Sequence, residues 1–91
     1  MAKVIVDIKL MPSEPNQDLK KLETQAKKLL EENKAKITRS RQEKIAFGLT
    51  ALIITFLRDE SLGGVEDLEE KLKKIKGVQD VQTQDVTRAM G

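Results

Sequence analysis

Cysteine, histidine, tryptophan and tyrosine are absent from the 91-residue chain, and phenylalanine occurs only twice. Without cysteine or histidine the chain cannot build the common zinc or iron–sulfur sites, a disulfide framework, or a histidine- or cysteine-based catalytic centre. Two aromatic rings also argue against a surface on which bases stack. A single domain over residues 1–91 is expected, because a second core would leave each half near the ~40-residue floor for unaided folding. A chain of this size buries only about 60–65% of its unfolded surface, which leaves no room for a large internal cofactor pocket. Seventeen Lys and Arg against fifteen Asp and Glu leave a net charge of +2, too near balance to imply nucleic acid by itself. Chemistry on small molecules is thus disfavoured, no cofactor or metal is expected, and binding is the better expectation.

The N-terminal residues Met1 to Asp7 contain no extended apolar region of the kind that opens a signal peptide. The most apolar stretch, Ala51 to Leu57, is interrupted by Thr55 and is far shorter than the ~20 residues that span a bilayer. A cytoplasmic protein without membrane contact is expected. Charge is unevenly placed: residues 17–44 carry nine basic and five acidic side chains, whereas residues 45–91 carry six basic and eight acidic. Two explanations stand for the basic segment: a solvated helix face with a basic edge strand, or a positive rim that steers an acidic partner.

Secondary structure is legible from periodicity. Val4, Val6, Ile8 and Leu10 alternate with polar residues, which predicts a strand with one buried face. Met11 to Asn16 is a breaker cluster, with Asn16 as the predicted N-cap of a helix and Asp18 in its first turn. Leu19, Leu22, Ala26, Leu29 and Leu30 follow at helical spacing, and Asn33 ends that helix. Ala35 to Phe47 reads as a partly exposed edge strand anchored by Ile37 and Ile45, and Leu49 to Leu57 as a strand apolar on both faces. Arg58 to Gly64 is a predicted loop. Val65, Leu68, Leu72 and Ile75 mark a second helix, acidic at its start and basic at its end, with Gly77 as its C′ residue. Val78 to Val86 is a final strand whose imperfect alternation implies a bulge.

The order β-α-β-β-α-β with right-handed crossovers predicts an α+β, ferredoxin-like sandwich: a four-stranded antiparallel sheet with both helices on one face and the third strand central. That strand is too apolar for a sheet whose other face is open. Either Lys and Arg stems cover it, or the open face is a contact surface for a partner or a second copy. Ile45-Ala46-Phe47-Gly48-Leu49 lies between the second and third strands, so Phe47 sits at a glycine-backed hairpin tip. It is either core that curls back or an aromatic anchor that enters a partner's pocket. Gly63-Gly64 has no phosphate-loop spacing, and the acidic clusters Asp59-Glu60 and Glu66-Asp67-Glu69-Glu70 read as a turn and a solvated helix face. No nucleophile and base can be paired.

Ile8-Lys9-Leu10-Met11-Pro12, the hairpin Ile45-Ala46-Phe47-Gly48-Leu49-Thr50-Ala51-Leu52, and Val81-Gln82-Thr83-Gln84-Asp85-Val86-Thr87-Arg88 resemble the archaeal translation elongation factor 1-beta family over about Val4 to Met90. The I-A-F-G-L hairpin is the most specific part. The resemblance implies a guanine nucleotide exchange factor, not an enzyme, whose partner is elongation factor 1-alpha, the GTPase that carries GDP or GTP and magnesium. It implies partner-binding residues Ala46, Phe47, Gly48 and Leu49 at the hairpin, with Asp85 and Arg88 toward the C-terminal end, and no direct nucleic-acid contact. A monomer is expected. A proline often precedes the hairpin segment in the family, where Lys44 stands here, and the near-terminal lysine of the eukaryotic domain has no counterpart in Arg88-Ala89-Met90-Gly91. Either Arg88 supplies positive charge differently, or magnesium is displaced through backbone and loop shifts. The alternative reading is a ferredoxin-like regulatory or ligand-binding module that dimerises through its sheet. An RNA-binding sheet is disfavoured, because its aromatic signature is missing.

Overall fold

The computed structural model describes residues 3–14, 18–62 and 65–89. The alternating start of the chain forms strand β1, Lys3–Pro12, with Val6, Ile8 and Leu10 buried. Helix α1 (Leu19–Glu32), strand β2 (Lys36–Lys44), a 3-10 turn (Ala46–Gly48), strand β3 (Thr50–Asp59), a second 3-10 turn (Glu60–Leu62), helix α2 (Glu66–Lys73) and strand β4 (Val78–Ala89) follow. The strands pair antiparallel in the order β2-β3-β1-β4, so β3 is interior and β2 and β4 are the edges. This is the ferredoxin-like arrangement expected from the element order. Arg58 and Asp59, read as loop, instead extend β3, while Gly63-Gly64 lies outside the described residues.

Helix ends depart from expectation in instructive ways. Asn16 lies outside the described residues; the cap of α1 is Asp18, whose carboxylate accepts the Lys21 N–H at 3.2 Å. At the other end Asn33 is the C-cap as expected. Ala35 N–H donates to Leu30 C=O and Lys34 N–H to Glu31 C=O, the paired bonds of a Schellman close. That close puts Lys34 in the left-handed region, φ 67°, where glycine is usual. Gly77 is not the C′ residue of α2, whose cap is Lys74; its φ of 99° serves the turn into β4. Asn33 also links elements: its backbone carbonyl accepts from Arg58 Nε, and its Oδ1 accepts from the Lys71 ammonium.

The register sorts side chains between two faces. Val6, Ile8 and Leu10 stand opposite Phe56, Ile54 and Leu52, and these six pack with Ala26 and Leu30 of α1 and Leu68 and Leu72 of α2. Each such Leu, Ile or Phe contributes about 1.5–3 kcal/mol when fully buried. Ser40 Oγ donates to Glu23 and so ties β2 to α1. That hydrogen bond holds the Glu23 carboxyl below its ordinary pKa. Thr83 Oγ1 ties β4 to α2 by donating to Glu69 at 2.7 Å.

The opposite face carries Ala51, Ile53, Thr55 and Leu57 of β3, with Lys9 and Arg41 flanking Ile53 on either side. Among the described residues no helix covers this face, yet Ile53 is only 1% exposed. Its register neighbours are long aliphatic stems with charged heads, which shield an apolar side chain while their heads stay in water. Covering by stems, one of the two explanations open for this strand, thus accounts for the burial of Ile53 and leaves the charged heads available on the surface. The expected bulge in β4 is present twice: the pairing with β1 skips Gln84 and again Gln79. A third bulge, absent from the sequence reading, lies in β2, where Ile37 opposes Phe56, Arg39 opposes Thr55, and Thr38 is extra.

Relief of the left-handed strain at Lys34 is directly measurable. Lys34→Gly is expected to raise the unfolding free energy by about 0.5–1 kcal/mol and Lys34→Val to lower it, read from urea midpoints at unchanged m-value.

Candidate partner-binding site

The hairpin between β2 and β3 is built by two backbone hydrogen bonds. Ile45 N–H donates to Leu49 C=O at 2.8 Å, and Leu49 N–H donates to Ala46 C=O at 3.3 Å. Closing so short a loop needs one residue in the left-handed region, and Gly48 supplies it with φ 73°. Ala46 and Gly48 are exposed, and Ile45, Leu49 and Thr50 are half-buried. Phe47 occupies the middle of the 3-10 turn; its side chain lies outside the described residues. Beside the tip is a cleft of about 270 Å³ lined by Lys44, Ile45, Gly48, Leu49 and Thr50.

Asp85 and Arg88, expected toward the C-terminal end, stand apart from the hairpin. Leu10 opposes Leu52 near the hairpin, whereas Lys3 opposes both Asp59 and Ala89, so Arg88 lies at the far end of the sheet. The ten residues of β3 separate the two ends, roughly 30 Å at strand rise. Asp85 lies mid-sheet opposite Asp7 on the helix-free face and accepts from Thr87 Oγ1 at 3.1 Å. Arg88 opposes Val4 on the other face. Its guanidinium grips Glu60 in a fork, Nε to Oε2 at 2.8 Å and Nη2 to Oε1 at 2.6 Å. Glu60 was not a candidate residue. It stands 28 residues from Arg88, so no local pattern announces the pair.

This fork holds the Glu60 carboxyl below its ordinary pKa, chiefly through the Arg88 hydrogen bond, and raises that of Arg88. Asp59 is lowered likewise by the backbone and hydroxyl donors of Ser61. The acidic residues of this turn thus have protein partners. Among the described residues no group of three or more metal-ligating side chains converges, and no helix is long and apolar enough to cross a membrane.

Residues 5–89 match the EF-1 guanine nucleotide exchange domain. The chain belongs to this family. Its similarity to curated "Elongation factor 1-beta" proteins is full-length: 36% identity with that of Methanothermobacter thermautotrophicus, covering 99% of this chain and 100% of the relative. The protein of Methanosarcina barkeri is 38% identical, over 97% and 99%. Among solved structures, the C-terminal domain of the MgtC protein from Mycobacterium tuberculosis shares the fold, with TM-score 0.55 at 16% identity over 98% of this chain and 88% of that one. As an EF-1 guanine nucleotide exchange domain, the chain serves nucleotide exchange in translation elongation.

Within this exchange domain the Arg88–Glu60 pair has a definite pH signature. Because the folded-state pKa of Glu60 is lowered, the pair is fully formed above the ordinary glutamate value of 4.5 and is lost as pH falls through the lower folded value. In a carboxyl-carbon NMR titration, Arg88→Ala is expected to move the Glu60 midpoint upward toward that ordinary value.

Proposed function

We propose that the chain accelerates GDP release from elongation factor 1-alpha by binding it, with no covalent chemistry of its own. A partner that binds the empty GTPase better than the GDP-loaded form weakens GDP binding by the same factor. The observation that carries this reading is the hairpin: a tight turn, held by Gly48 and two backbone hydrogen bonds, that presents the Ala46-Phe47-Gly48-Leu49 tip at the end of the sheet. Phe47 is the residue that enters the GTPase, with Gly48 and Leu49 shaping the tip.

The second contact, toward the C-terminal end with Arg88, lies about 30 Å away, and Asp85 lies mid-sheet between the two ends. Exchange on this reading is a two-point grip along the length of the sheet on a partner that holds the nucleotide and magnesium. Arg88 takes part as a member of its pair with Glu60, which favours magnesium displacement through shifts in the GTPase over direct replacement by a free cation. Burial of Ile53 leaves little apolar surface on the helix-free face of β3, which supports action as a monomer.

The test is release of fluorescent GDP from loaded elongation factor 1-alpha. The wild-type chain is expected to speed release, and Phe47→Ala, folded by circular dichroism, to slow the catalysed rate at least tenfold, as loss of a hot-spot aromatic of about 2 kcal/mol or more implies. Equal rates for the two proteins would remove Phe47 from the role.

A further inference from the structure

The bulge at Thr38 has a consequence for charge. In an unbroken strand Lys36 and Arg39 would point to opposite faces. The extra residue puts Lys36, Arg39 and Arg41 on one face, opposite Leu57, Thr55 and Ile53 of β3, and Lys9 joins them from β1 on the Ile53 row. Alternate residues along a strand are about 7 Å apart and these rows span two strand spacings, so four cations fall within roughly 15 Å. Lys36, Arg39 and Arg41 are exposed. Among the described residues none of the four takes part in an ion pair, although Lys27, Lys73 and Arg88 all do. The nearby acids are Glu43, opposite Ala51, Asp7, whose carboxylate is engaged by the Thr55 hydroxyl, and Asp85, opposite Asp7.

Protection of an exposed sheet edge accounts for charge on β2, but not for Lys9, which lies on an interior strand. The stripe is also continuous with the hairpin, since β2 runs from Lys36 to Lys44 directly into Ile45 and the tip.

We infer that Lys36, Arg39, Arg41 and Lys9 form an electrostatic docking surface for an acidic patch on the GTPase, flanking the point where the hairpin enters. This rests on the exchange reading above and adds where the partner's negative charge must lie. A localized acidic protein surface fits better than a phosphate chain. A polyanion crossing the sheet would run from the cations on to Asp7 and Asp85, and no described aromatic side chain on this face offers a base a ring, Phe56 being packed on the helix side. Interactions of this kind act mainly on the association rate and are screened by salt.

The experiment compares wild type with Arg39→Glu/Arg41→Glu in the GDP-release assay, varying factor concentration at about 50 and about 300 mM salt. Glutamate keeps the edge charged and long-stemmed, so solubility and cover of Ile53 are retained. The charge-conserving Arg39→Lys/Arg41→Lys serves as control. The half-saturating concentration is expected to rise at least tenfold in the Glu variant at low salt, with the maximal rate unchanged and the Lys variant near wild type. Wild type is expected to weaken with salt, and the Glu variant to lose that dependence. Wild type inactive at every concentration defeats the exchange reading itself. Wild type active with an unaltered Glu variant, or with a lowered maximal rate and unchanged half-saturation, overturns the docking surface. Binding of polyuridylate RNA that is lost in the Glu variant while exchange stays normal overturns it in favour of RNA. Should the double variant not fold, Lys36→Gln/Arg41→Gln carries the same test with a smaller expected shift.

Discussion

Everything in this fold depends on keeping β3 dry on two sides. On one side two helices supply Ala26, Leu30, Leu68 and Leu72, which close over Leu52, Ile54 and Phe56. On the other there is no layer to recruit, and the chain covers Ile53 with stems from the neighbouring strands. Stems long enough for this carry charged heads. A packing requirement on the central strand thereby fixes where cations stand on the surface, and the same side chains become available to a partner.

The hairpin follows from the same strand. β3 begins immediately after Leu49, so its interior position anchors one leg of the hairpin, while β2, on the edge, forms the other. The tip is continuous with a strand that is paired on both sides from Leu52 onward, which supports a side chain meant to enter another protein. The opposite end is organised differently, by a side-chain fork between Arg88 and Glu60 across two elements. One end of the exchange domain is thus shaped by backbone geometry and the other by charge.

Much of this was legible from periodicity alone, because period-2 and period-3.6 patterns report burial, and burial decides the order of elements. Val6, Ile8 and Leu10 announced β1; Leu22, Ala26 and Leu30 announced α1; Gly48 announced the hairpin. What escaped depends on pairing or on competition between neighbours. Asp18, not Asn16, caps α1 among the described residues, since both residue types cap equally well and only the backbone path decides. Arg88 and Glu60 meet because β4 ends beside the turn after β3, a relation no local window contains. The Thr38 bulge is set by register with β3, so the alignment of Lys36 with Arg39 has no local signature in the sequence.

The two bulges of β4 carry a further meaning for how chain length can vary. Ten residues of β1 face twelve of β4, and the surplus is absorbed where Gln84 and Gln79 fall outside the ladder. Loss of either glutamine leaves every other residue on its present face, because each is the unpaired member of its bulge. A deletion anywhere between them, or beyond Gln84, instead shifts parity and turns Val81 or Arg88 to the wrong side. Strand β4 therefore has two joints at which evolution can shorten it without rewriting the sheet, and rigid segments elsewhere.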